Sequence, residues 1–192
     1  MNYRLTRELI HKVLEQALHY QWTLQGFGML RLNLGREGRI HVWDDRFAVP
    51  NVSVIHTHPW NLHSTVFSGR IVNIRYNEHP TFNKYKDPTH MRQTIQCGEG
   101  GCIRGEPTPL YLMEQPTEVY LAQSSYMQEA DEIHESRPDR GTVTLLQRPK
   151  GPEMELAHVY WPYGTQWVSA EPRVATRDEM SAIVGHALEC WT

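Results

Sequence analysis

The sequence predicts an all-β barrel or sandwich flanked by a helix at each end. Three observations carry the prediction. Many short segments alternate apolar and polar residues at period two. Clusters of Gly, Pro, Asn and Asp separate them at close spacing. Helical periodicity is confined to the two ends of the chain. No internal repeat and no low-complexity tract interrupts this pattern.

From about Thr6 to His19, the residues Leu9, Ile10, Val13, Leu14, Ala17 and Leu18 fall on one helical face, with Arg7, Glu8, Lys12 and Glu15 mostly elsewhere. From Met29 the period changes to two. Leu30, Leu32 and Leu34 alternate with Arg31 and Asn33, Gly35-Arg36-Glu37-Gly38 supplies a turn, and Arg39 to Trp43 forms the second arm of a hairpin. Pro50 and Asn51 punctuate the chain ahead of a strand over Val52 to His58. In the next strand Thr65 and Phe67 share the parity of His63 and are expected to wall the same interior. Ser68-Gly69 turns the chain into a strand over Arg70 to Tyr76. Residues 77–109 are rich in Pro, Gly, His and charge, with only Arg92 to Gln96 strand-like, and read as a lid or binding loop containing His79 and His90. Short strands are expected at Leu110 to Met113, Thr117 to Ala122, Ser125 to Gln128, Thr142 to Arg148 and Glu155 to Trp161. Thr176-Arg177-Asp178-Glu179 is a capping box, and Met180, Ile183, Val184, Ala187 and Leu188 follow at helical spacing.

A length of 192 residues suits one domain, 1–192, with a barrel over about 27–165 and helices over about 6–19 and 177–189. Apolar residues make up 40% and charged residues 21%, the composition of a soluble globular chain. A net charge of -3 and a pI near 6.4 argue against a nucleic-acid surface and leave small ligands open. The first residues have no signal-peptide core and no apolar run reaches the length of a membrane span, so a cytoplasmic chain with no membrane partner is expected. The three cysteines, Cys97, Cys102 and Cys190, cannot all pair within one chain, which fits a reducing compartment. Cys97-Gly-Glu-Gly-Gly-Cys102 has a tolerable zinc-ligand spacing but no second ligand pair after it, and reads as a Gly-rich loop tip.

The chemistry concentrates in Ile55-His56-Thr57-His58-Pro59-Trp60-Asn61-Leu62-His63. Residues two apart on an extended backbone share a face, so His56 and His58 can aim both imidazoles at one point. Pro59-Trp60-Asn61 turns the chain, which lets His63 return toward that point from the next strand. His134, far along the chain after Ala130-Asp131-Glu132-Ile133, completes the set. Imidazoles gathered this way suit a transition metal, whereas an inert cluster would need hydrogen-bond partners for each ring.

These residues resemble the motifs of the cupin superfamily. His56-Thr57-His58, four residues, His63, five residues and Gly69 match the skeleton of its first motif, with His63 where the family usually has Glu. His134 matches the histidine of the second motif more loosely: Glu129 and Asp131 stand in place of the Pro-x-Gly before it, and Pro138 in place of the later Asn. The resemblance covers roughly residues 27–165. It implies a jelly-roll barrel, the double-stranded β-helix, holding one divalent transition metal on His56, His58, His63 and His134. Fe(II) is expected first, with Ni, Zn, Mn or Cu as further options, and the three-histidine dioxygenases of this family suggest oxidation of a small chelating thiol or diketone. A redox-neutral isomerase or hydrolase, or a non-catalytic small-molecule binder, is the alternative.

Around the site, Arg70, Arg75 and Tyr126 are candidates to hold substrate. Gln147 is a further residue that could face the interior, Asp131 or Glu135 could orient a ligand imidazole, and Trp60 could wall the site. Open sheet edges generally need covering, so a homodimer is the default expectation.

Overall fold

The computed structural model describes residues 3–35, 38–79, 87–98, 101–149, 154, 156–169 and 171–191. Helix α1 (Tyr3–Glu15) and a 3-10 turn at Ala17–His19 lead into β1 (Thr23–Gln25), β2 (Phe27–Asn33), β3 (Gly38–Ala48), β4 (Ile55–His56), β5 (Leu62–Ser68) and β6 (Arg70–His79). The chain continues with β7 (His90–Gly98), β8 (Gly101–Arg104), β9 (Thr108–Glu114), β10 (Glu118–Leu121), β11 (Ser125–Gln128), β12 (Ile133–Pro138), β13 (Val143–Gln147), β14 (Ala157–Pro162), β15 (Arg173–Val174) and helix α2 (Arg177–Glu189).

The strands form two large antiparallel sheets, one ordered β11-β5-β13-β3-β2-β1-β15 and the other β10-β6-β12-β4-β14-β7-β8. Strand alternation sorts the first sheet into two faces. Leu30, Leu32, Ile40, Val42, Phe67, Val143 and Leu145 face the helices and pack with Ile10, Leu14, Ile183 and Val184 in the largest apolar cluster. Each such fully buried aliphatic side chain contributes about 1.5–3 kcal/mol relative to exposure. The other face presents Met29, Arg31, Arg39, His41, Trp43, Ser64, Thr144 and Leu146 to a cavity between the sheets.

Helix α2 begins where its capping box places it. Thr176 Oγ1 accepts from the Glu179 amide at 3.3 Å, and Glu179 returns a carboxylate oxygen to the Thr176 amide at 2.9 Å. At the other end of the chain, α1 starts earlier than its pattern suggests, and Leu9 and Leu18 are exposed although the periodicity assigns them to the packing face.

The described residues of 77–109 are largely strand, against the expectation of a lid or binding loop, and 80–86 lie outside the described residues. Strands β7 and β8 form a hairpin, and β9 pairs with both β6 and β7. The pairings β6-β12-β4-β14-β7-β9-β6 therefore run in a closed ring, around a second apolar cluster of Ile55, Ile74, Tyr76, Leu110, Leu112, Ile133 and Tyr160. Closure leaves β9 no free edge in that stretch, which explains why a Pro- and charge-rich segment holds strand structure. The backbones of Cys97 and Cys102 pair across the β7–β8 hairpin. Their side chains lie outside the described residues, as do 36–37 of the first hairpin turn, 99–100 of this one, and residue 155 of the last expected strand. Strands β1 and β15 were not legible in the pattern, and the strand expected over Val52 to His58 is reduced to β4 at Ile55–His56 and an isolated parallel bridge from Val52 to Val168. No described helix is long and apolar enough to cross a membrane.

Candidate metal centre

His56, His58 and His134 converge. His56 is opposite His134 in the β4–β12 register, and His58 follows two residues beyond His56. Each offers one ring nitrogen, and the three nitrogens lie within 4.8 Å of one another. Ring centroids are 4.5 Å apart for His56 and His134, 4.8 Å for His56 and His58, and 5.1 Å for His58 and His134.

Two of the rings are oriented by the same local device. His56 Nδ1 lies 3.0 Å from the Val54 carbonyl, and His134 Nδ1 lies 3.1 Å from the Glu132 carbonyl, in each case two residues back. A carbonyl only accepts, so Nδ1 carries the proton and Nε2 is left with a free lone pair. Metal-bound histidines commonly show this arrangement, with the far ring nitrogen tied to a backbone or carboxylate oxygen. The expected carboxylate partners do not fill that role. Glu135 is engaged by the Tyr76 hydroxyl at 3.0 Å and by Arg137, and the Asp131 carboxylate lies 3.8 Å from Nε2 of His158, while its backbone amide donates to the His58 carbonyl at 2.9 Å.

Burial pushes all three imidazoles below their ordinary range. For His58 and His134 the depression is large, because each also feels the other positive charges the cluster would hold. The group is therefore neutral at pH 7, the form that donates a lone pair. Imidazole nitrogens at about 2.0–2.1 Å from a common ion stand about 3–3.5 Å from one another, so a contraction of at most about 1.3–1.8 Å brings this set to bonding distance. The residues fit a transition metal in donor type, protonation and orientation.

His63 is not part of the group. Leu62 and Ser64 line the cavity, and His63, of opposite parity, lies on the other face of β5 with Thr65 and Phe67; Phe67 packs in the helix-side core. The turn at Pro59-Trp60-Asn61 reverses the chain without restoring the parity of His56 and His58. His79 is exposed, and neither it nor His90 lines the cavity.

The substrate-holding candidates separate. Tyr126 lines the cavity, buried, stacked on Tyr120 at 4.4 Å, with its hydroxyl in reach of Ser64 and Ser136. Arg70 is committed to Asp139 at 3.0 Å on the surface. Arg75 is committed to Glu132 and to Glu118 and does not line the cavity. Gln147 shares the parity of Leu145 and turns away from it. Trp60 walls the site, its ring 4.8 Å from His58 and nearly parallel to it, with Arg39 and Arg148 over the indole at 5.3 and 5.2 Å. Phe27, unremarked in the sequence, lies parallel to His56 at 6.0 Å.

Compared with known proteins, the chain matches no family model and no curated sequence. Fold and site together define a β-rich sandwich with a buried three-histidine group that could hold a metal ion.

Proposed function

We propose that this chain is a cupin-type jelly roll that binds one divalent transition metal, Fe(II) foremost, on His56, His58 and His134. In this reading it is a non-haem dioxygenase of a small, metal-chelating substrate of thiol or diketone type. The observation that supports it most is the convergence of three neutral imidazoles on the wall of a cavity of about 350 Å³. Three protein ligands facing open space leave coordination positions for a substrate, whereas a structural site is usually closed by a fourth ligand.

When bound, iron would supply Lewis acidity and the capacity to bring a chelating substrate and oxygen together. The chain supplies the rest. The Val54 and Glu132 carbonyls hold two rings in the tautomer with Nε2 free, and burial keeps the rings unprotonated. Phe27 and Trp60 flank the histidines with aromatic surface that limits water access, and the Tyr126 hydroxyl places a hydrogen-bonding group on the same cavity.

The same nitrogen set also suits zinc, which favours redox-neutral hydrolysis or isomerisation as the second reading. Anaerobic loading with Fe(II), followed by oxygen-electrode screening of small thiols and 1,3-diketones, separates the two. Iron-dependent oxygen uptake that is lost in His134→Ala is the expected result. Turnover that needs zinc and no oxygen selects the second reading, and stoichiometric metal with no turnover of any screened class leaves a binding module.

A further inference from the structure

Charge is unevenly distributed around the cavity. Its charged lining residues among those described are Arg31, Arg39, Arg104 and Glu171, and Arg104 and Glu171 pair with each other at 2.6 Å. Arg31 and Arg39 make no ion pair among the described residues. Arg31 is directly opposite His41 in the β2–β3 register and Arg39 precedes His41 by two, so one face of the hairpin presents both guanidiniums to the cavity.

Among the described residues Arg31 reaches a neutral partner, donating through Nε to Thr23 Oγ1 at 3.3 Å, and Arg39 lies over Trp60. Burial foremost, and then the charges of Arg31 and Arg148, both of its own sign, bring the pKa of Arg39 down to about 10. Half-buried like charges repel and are incompletely hydrated, and a bound anion relieves both penalties. In the same wall, Nε2 of His41 and Nε2 of Gln128 have no hydrogen-bond partner among the described residues, and these two residues are only 6% and 2% exposed. Unpaired buried nitrogens are rare and mark places where a bound molecule or water completes the set. Much of the remaining lining is apolar, with flat surfaces from Phe27, Trp43 and Trp60.

We propose that the cavity binds a small organic acid with a flat apolar body, its carboxylate seated on the Arg39 and Arg31 guanidiniums and its other end directed to the three histidines. The arginine fork matches a planar carboxylate with two parallel hydrogen bonds, and the aromatic walls match the body. The volume lies at the small end of the range for ligand pockets, about 300–1,000 Å³. This deepens the metal reading and rests on it for the ligand's second end alone.

The test titrates phenylacetate and its neutral isostere phenylacetamide into the zinc-loaded full chain by calorimetry. Phenylacetate binding at least about tenfold tighter than the amide is the expected result, with that preference lost in Arg39→Met while the affinity for the amide holds. Arg31→Met reports the same loss in an independent variant, should Arg39→Met fail to fold. Equal affinities, no binding of either probe, or a preference that survives in both variants overturns the proposal. His58→Ala, treated with chelator, separates this inference from the metal reading. A preference that persists there belongs to the arginines whatever the native metal, and one that vanishes with the metal assigns the carboxylate to the metal and overturns the proposal.

Discussion

His134 is directly across from His56 on antiparallel neighbours β12 and β4, their ring centroids 4.5 Å apart, although the two residues are far apart in sequence. The register that joins those strands is also what assembles the site. Each ring takes its orientation from a carbonyl two residues earlier in its own strand entry. The site is therefore built by backbone geometry more than by neighbouring side chains, and substitutions should divide sharply between ligands and everything else.

His63→Ala should keep full metal content, because His63 is on the far face of β5 from the cavity-lining Leu62 and Ser64. Its stability should change by no more than about 1 kcal/mol, the range of a half-buried residue outside any network. Metal analysis beside a urea melt checks both, and loss of metal would return His63 to the ligand set.

Arg70→Ala should be nearly silent. The pair with Asp139 is solvent-exposed on both sides, and such pairs contribute about 0–1 kcal/mol. Neither metal stoichiometry nor phenylacetate affinity should move, which distinguishes Arg70 from Arg39 in the same titration.

Gly69→Ala should be costly. The residue adopts φ +77°, and a Cβ there would stand 2.4 Å from Thr142 Oγ1 and 2.9 Å from Thr142 Cα. Left-handed backbone costs a residue with a side chain about 1–2 kcal/mol, and the clash with β13's entry adds to it, so a loss of about 2–4 kcal/mol in denaturant unfolding is expected.

Acid should destabilise the metal-free chain through His41. Burial and the nearby Arg39 and Arg31 lower its pKa to about 3, against an ordinary value of 6.5. The unfolded chain thus binds a proton that the folded chain refuses. The associated stability is fully present above about pH 6.5 and is lost as pH falls toward 3, an effect on the order of a few kcal/mol. His56, His58 and His134 act in the same direction. Chemical melts between pH 7 and 4 should show this slope, and His41→Phe should flatten it in part.

The sequence made the histidines legible because two of them, His56 and His58, sit at strand period and the third stands before a clear strand. It misplaced His63 because parity is lost across Pro59-Trp60-Asn61, and β4 is paired over only two residues, so alternation could not be carried through the turn. Arg31, Arg39 and His41 went unnoticed for a different reason. Leu30, Leu32, Ile40 and Val42 mark one face of the hairpin as core, which makes the other face read as solvent, whereas it borders a second layer and the cavity. The available signal was its composition: Arg, His and Trp alternate there, in place of the Lys and Glu of an ordinary wet face. Strand β9 was legible over Leu110 to Met113 but not at Thr108 and Pro109, and its pairing with β6 and β7 was hidden because those contacts are long-range. Helix α2 was legible to the residue because a cap is a local signal.

Elemental analysis of protein purified without chelator, alongside the His58→Ala and His63→Ala variants, decides whether His56, His58 and His134 hold a divalent ion. About one equivalent of iron, or of another transition metal, in the wild type and in His63→Ala, falling below about a tenth of that in a folded His58→Ala, is the predicted result. Full metal retained in His58→Ala, or none in the wild type after anaerobic Fe(II) loading, would contradict it.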